Sequence, residues 1–313
     1  MKVSSAVLGA CLAGHAYASK YHRQADTLVR SVNGLQGKGT TGFAAYIQLA
    51  KPEVIVSSLE KYAQKSLTIV VPNNALWDVE LSRLGVNTTE VDSLMTSQWS
   101  EWFTETFQYL FFDTNLNTSA VADGQTVLLN SIKKSPAGDW PLQIAFRRDQ
   151  SFAVESDALV NGTFYAGQIK TPNMGAKPGV VAHVVGGKDF LYEPQSLSAT
   201  LASLGVTSWP DLVAKVPLAA ELENSRDYTL LLPANFDAAF ASFKGIPQSF
   251  LETHLVSYRV VLGPSPQPFE TVGGLTGSVS REHITSATVT VPLVQRDVLT
   301  NGIMVQVIEK ALV

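Results

Sequence analysis

Two runs of consecutive apolar residues repeat each other along the chain. Leu67-Thr68-Ile69-Val70-Val71-Pro72 runs into Asn73-Asn74, and Tyr228-Thr229-Leu230-Leu231-Leu232-Pro233 runs into Ala234-Asn235. A strand with one wet face would carry polar residues at every second position, so each run predicts a strand covered on both faces. Pro72 and Pro233 withdraw an amide donor and end it. Asn74 and Asn235 stand where a side-chain oxygen caps the first amides of a following helix, with Asp78 and Asp237 near its positive end. Strand, proline stop and capped helix therefore occur twice.

Between and around these runs the periodicity changes. Val54, Ile55, Leu59 and Tyr62 recur at helical intervals over 52–64, and Leu76, Trp77 and Leu81 mark a helix that Gly85 ends. Trp99, Trp102, Phe103, Phe107, Leu110 and Phe111 fall on one helix face. Such a stripe is read as core, with a pocket for a sugar or lipid as the alternative. Short runs at 126–129, 143–146, 151–154 and 163–170, broken by Gly, Pro, Asn and Asp, predict a sheet-rich stretch that 180–185 closes. A break at 191–195 precedes helical patterns over 197–204 and 209–216, the second buried strand, and a helix over 248–258. Strands follow near 263–268 and 273–277. Fewer residues separate Pro233 from Gly302 than Pro72 from Gly179, which predicts a compact second copy lacking peripheral strands or loops.

The paired runs resemble the first signature of the fasciclin domain, an extracellular adhesion module. The second signature is similar to Asn301-Gly302-Ile303-Met304-Val305-Gln306-Val307-Ile308-Glu309-Lys310-Ala311-Leu312, and more loosely to Gly179-Val180-Val181-Ala182-His183-Val184-Val185. The resemblance implies an α+β protein of two tandem fasciclin-like domains, at 43–194 and 195–313, each a small β-sheet or sandwich wedge flanked by helices. The positions it marks as structural are Thr68, Pro72, Asn74, Gly179, His183, Thr229, Pro233, Asn235, Asn301, Gly302 and Gln306. The family also carries a Tyr-His pair between its motifs, linked to adhesion in some animal members. The counterparts are placed at Tyr109-Leu110 and Tyr258-Arg259, which makes Tyr109, Tyr258 and Arg259 contact candidates and argues against integrin-type recognition, because the His is missing.

Composition narrows the setting. A chain of 313 residues exceeds one core's reach. With 45% hydrophobic and 16% charged residues and a net charge of −4, it is globular and offers no basic surface for nucleic acid. Lys2, the apolar segment after it and Ala16-Tyr17-Ala18 read as a signal peptide over 1–18, followed by a flexible leader over 19–42. The single cysteine, Cys11, falls inside that segment, so no disulfide is expected in the mature chain. The Gly- and Lys-containing stretch at 34–40 lacks the strand and spacing of a phosphate loop. No transmembrane segment and no lipid-anchor tail are expected. The protein is therefore expected to be secreted, extracellular or associated with a cell surface or wall. Asn87, Asn117 and Asn161 head Asn-x-Ser/Thr sequons and are glycosylation candidates.

Catalytic signatures are sparse. His183 and Gln306 occupy matching places among apolar neighbours and read as buried hydrogen-bonders. Ser58 with Lys61 and Ser131 with Lys134 have serine-lysine spacing without partner motifs. The expectation is a non-enzymatic protein without cofactor or metal, whose partners are cell-surface, matrix or wall proteins or glycans, or further copies of itself. A binder of a small apolar or glycan ligand is the alternative, and a hydrolase a more distant one.

Overall fold

The computed structural model describes residues 41–46, 67–86, 97–149, 151–160, 163–177, 180–186 and 193–313. The expected signal peptide, nearly all of the leader, the helix over 52–64, Asn87, Asn161 and Gly179 lie outside the described residues. The chain is a mixed α/β protein with two curled sheets and flanking helices.

In the first half, α1 (Thr41–Tyr46) precedes β1 (Leu67–Pro72), α2 (Asn74–Arg83) and α3 (Ser97–Leu110). Six further strands follow: β2 (Phe111–Phe112), β3 (Thr126–Lys134), β4 (Pro141–Asp149), β5 (Ser151–Val160), β6 (Thr163–Lys177) and β7 (Val180–Gly186). They pair in chain order and close on themselves, because β7 returns to lie parallel to β1 with His183 opposite Val70.

The second half repeats the circuit. Helices α4 (Leu197–Ser203), α5 (Trp209–Lys215) and α6 (Pro217–Glu223) lead into β8 (Thr229–Pro233), α7 (Phe236–Ser242) and α8 (Pro247–His254). The strands β9 (Leu255–Val256), β10 (Gln267–Glu270), β11 (Thr276–Val279), β12 (His283–Ser286), β13 (Thr290–Leu299) and β14 (Met304–Ile308) complete it. Here β14 lies parallel to β8, with Gln306 opposite Leu231. A single bridge, Val256 to Thr271, and a bond from Val272 N–H to the Leu255 carbonyl join β9 to the end of β10. The seven strands thus run in the same cyclic order in both halves.

One expectation changes. The first sheet closes into a barrel and the second curls until a single bridge links its two ends, so the second copy has kept all seven strands. Its compactness comes from length: β10, β11 and β12 have 4 residues each, where β3, β4 and β5 have 9, 9 and 10. Tight hairpins shorten a sheet without deleting a strand.

The continuous apolar runs are buried on both faces because each ring is filled inside and covered by helices outside. In the second half, Leu231, Val256, Phe269, Val279, Ile284, Val291 and Ile308, one from each strand, form the interior cluster. Leu230 and Leu232, with Val305 and Val307, face the helices instead. In the first half Ile69, Val70 and Val71 join one core with Phe43, Trp77, Phe103 and Phe107. The aromatic stripe on α3 is core: Phe103, Phe107, Leu110 and Phe111 are buried, and Trp99 and Trp102 pack half-buried against them.

The helix caps differ from expectation by one residue. Asn73 caps α2, its side chain accepting from Leu76 N–H at 3.1 Å, while Asn74 lies inside the helix and accepts from Gly42 N–H at 2.8 Å, tying down α1. Asn235 stands at the start of α7 without a side-chain cap bond. Asp237 turns to a neighbouring helix and accepts from Thr207 and Ser208 at the start of α5. Burial acts to raise its carboxyl pKa, but those hydrogen bonds outweigh it and hold the pKa down at about 2.

Candidate functional site

The threonine at the second position of each buried run pins the segment that crosses from one side of its ring to the other. The Thr68 hydroxyl donates to the Thr114 carbonyl and accepts from Leu116 N–H at 2.8 Å. The Thr229 hydroxyl donates to the Tyr258 carbonyl at 2.9 Å and accepts from Val260 N–H at 2.8 Å. The closing strand holds the same residue from its carbonyl side. His183 Nε2 lies 2.9 Å from the Leu116 carbonyl, and Gln306 Nε2 donates to the Val260 carbonyl at 3.1 Å. Leu116 and Val260 are therefore equivalent, and so are His183 and Gln306. Burial pushes the His183 pKa down, opposed by its bond to Leu116, so the imidazole serves as a neutral clamp.

Why one copy uses His and the other Gln follows from what lies beyond. Gln306 also donates from Nε2 to Asp297 Oδ1 at 2.7 Å and accepts from Asp297 N–H at 2.8 Å. An imidazole has one nitrogen at each position and offers no such adjacent donor and acceptor, whereas a carboxamide does. Asp297 adopts the left-handed conformation, φ 51°, which Asp tolerates better than most residues. Its carboxylate lies 3.3 Å from the guanidinium of Arg147 on β4 of the other ring, and Arg147 also donates to the Arg296 carbonyl. The two side chains are 7% and 0% exposed. Burial pushes the Asp297 carboxyl up, and the Arg147 charge and Gln306 amide pull it back.

Around this pair the rings meet through Ala145 and Leu128 on one side and Leu299, Met304 and Val261 on the other. The β3–β4 hairpin adds a further contact, Trp140 Nε1 donating to the Asn301 carbonyl at 2.7 Å. Asn301 N–H donates to the Gln195 carbonyl, and Arg259 donates to the carbonyl of Gly302. Gly302 has no room for a side chain, since a Cβ would stand 2.3 Å from the Ser225 carbonyl oxygen. On the linker, Glu193 pairs with Lys133 of β3 at 2.6 Å. The arrangement joins the two rings through a buried ion pair, an apolar contact and backbone hydrogen bonds.

The structure separates the remaining sequence candidates. Tyr109 is buried with its hydroxyl on the Gln143 carbonyl, Arg259 is largely buried, and Tyr258 is 42% exposed with its hydroxyl on the Pro268 carbonyl. The expected pairing of Tyr109-Leu110 with Tyr258-Arg259 is corrected by strand register. Phe112 opposes Thr68 as Val256 opposes Thr229, which makes Thr253-His254 the counterpart of Tyr109-Leu110. A His is therefore present in the second copy. Its Nδ1 lies 2.7 Å from the Phe250 carbonyl and its Nε2 accepts from Leu312 N–H at 3.0 Å. Ser131 donates to the Gln108 carbonyl while Lys134 pairs with Asp139, so that spacing builds no dyad. Among the described residues no group of three His, Cys, Asp or Glu could hold a metal ion. No helix of the described residues is long and apolar enough to cross a membrane.

Sequence reasoning passed over Arg147, Asp297, Trp140 and His254. Charges inside apolar strands, Arg147 after Ala145-Phe146 and Asp297 before Val298-Leu299, were the available signal. No protein-family profile and no curated protein matches this chain. Among solved structures it is similar to a FAS1 domain pair from the insect cell adhesion molecule Fasciclin I. The identity is 14% and the TM-score 0.31, over 83% of this chain and 95% of that one.

Proposed function

We propose that this is a secreted, non-enzymatic protein that acts by surface contact, in cell adhesion or in an extracellular matrix or wall, through two fasciclin-like domains at 43–194 and 195–313. The observation that carries the reading is the duplicated clamp. Thr68 with His183 and Thr229 with Gln306 grip equivalent backbone positions, using residues the sequence resemblance had singled out. Polar side chains that a catalyst would expose are spent on holding backbone. The junction supports a fixed spacing between two contact surfaces, the condition under which weak contacts multiply.

The full chain, immobilised on beads, is expected to retain cells or wall fragments of the producing organism above an unrelated protein of matched charge. Equal retention on both coatings overturns the proposal. The half-buried Trp99 and Trp102, with ring centroids 6.0 Å apart, favour a second reading in which an apolar or glycan ligand stacks beside α3. A thermal shift with a panel of lipids and glycans, abolished by Trp99→Ala, supports it.

A further inference from the structure

The equivalence of Leu116 and Val260 makes Asn117 the counterpart of Val261. Val261 is packed into the contact between the rings, beside Ala145, Leu299 and Met304. Asn117 is exposed on the corresponding face of the first ring. Where one copy places an apolar residue against its neighbour, the other places a polar one in water and begins Asn117-Thr118-Ser119.

We propose that Asn117 carries an N-linked glycan, covering the face of the first ring that corresponds to the docking face of the second. Its folded geometry is compatible with a glycan. Oδ1 accepts from Ser119 N–H at 3.0 Å and from the Ser119 hydroxyl at 2.7 Å, while Nδ2, the atom that would bear the sugar, makes no hydrogen bond among the described residues. The backbone beneath it is fixed by Thr68 and His183 through Leu116. A sugar there costs the fold no buried contact and points into solvent. Glycans are large, hydrophilic and immobile at their root on such a segment, so no further copy of the ring can stack on that face.

The proposal rests on the secretory reading, and the test separates the two. The full chain is expressed in a eukaryotic secretory host, once with its own first residues and once with the leader of a proven secreted protein. Peptide N-glycosidase in heavy-oxygen water then marks each glycosylated Asn as labelled Asp, read by peptide mass mapping. Label at Asn117 is expected, lost in Asn117→Gln and in Ser119→Ala, and kept in Ser119→Thr. Export on the replaced leader with Asn117 unlabelled overturns the glycan. Retention in the cell on its own first residues, with label at Asn117 on the replaced leader, removes secretion and leaves the site standing.

Discussion

Lowering the pH from 8 to 4 should weaken the second ring through one side chain. His254 is buried between Phe250 and the C-terminal segment, and accepting from Leu312 N–H requires its Nε2 to be unprotonated. Burial, opposed by the bond to the Phe250 carbonyl, pushes its pKa down from 6.5 to about 4. An unfolded chain binds this proton below 6.5, while the native state refuses it until about 4. The stability it contributes is complete above 6.5 and is lost as the pH falls toward 4. About 2.5 units at about 1.36 kcal/mol each set the ceiling, and at pH 4 about 3 kcal/mol is gone.

Other groups act in the same range, and subtraction removes them. Glu193 and Asp297 have raised pKa values, so protonation favours the native state and they add stability as the pH falls. His183, lowered like His254, acts in the same direction as it does. The comparison is His254→Leu, which installs the residue found at the equivalent position, Leu110. Leaving Leu312 N–H without its acceptor costs about 1–3 kcal/mol near neutrality. The variant's disadvantage should then shrink by about 3 kcal/mol between pH 8 and 4, until the two proteins are level or reversed. Urea unfolding of both chains across this range, followed by circular dichroism, measures it. Parallel curves would refute the argument, since the proton would then be entering elsewhere.

Asp297→Asn removes the charge opposite buried Arg147 and is expected to destabilise by about 3–5 kcal/mol, whereas Arg147→Met combined with the same Asp297→Asn, which keeps the left-handed backbone and the acceptor for Gln306, should recover part of the loss. A double-mutant cycle in chemical denaturation reads the difference, and additive losses would deny the pair any coupling. Thr229→Val should cost about 1–3 kcal/mol and raise amide exchange at Val260 ahead of the global rate. Unchanged exchange there would show that the clamp is not what holds the crossing. Gly302→Ala drives a methyl into the Ser225 carbonyl, and a loss of about 1–3 kcal/mol is expected by thermal unfolding, with a neutral result excluding the tight approach.

What the sequence made legible divides along a physical line. The buried strands could be read because burial on both faces needs an unbroken apolar run, and Val71 and Leu232 are indeed buried. The α3 stripe was readable for the same local reason. Ring closure was only half visible: 180–185 was expected to seal the sheet, but a return to β1 depends on contacts more than a hundred residues apart. The junction was invisible, because Arg147 and Asp297 each read as a strand charge until the fold makes them neighbours. The Tyr258-Arg259 assignment failed since a two-residue motif carries no register, and strand pairing does. The cap at Asn73 was missed because adjacent asparagines offer the same oxygen one residue apart.

Closure by a returning strand also dictates how the protein can be made. While the ribosome has not yet released residues 180–186, the edge of β1 that β7 will occupy stays open, with its backbone donors and acceptors exposed. A nascent chain stalled before that point is a strand seeking any partner, so the first ring must be guarded through most of its synthesis. The second ring closes sooner after its own first strand emerges, its intervening hairpins being short.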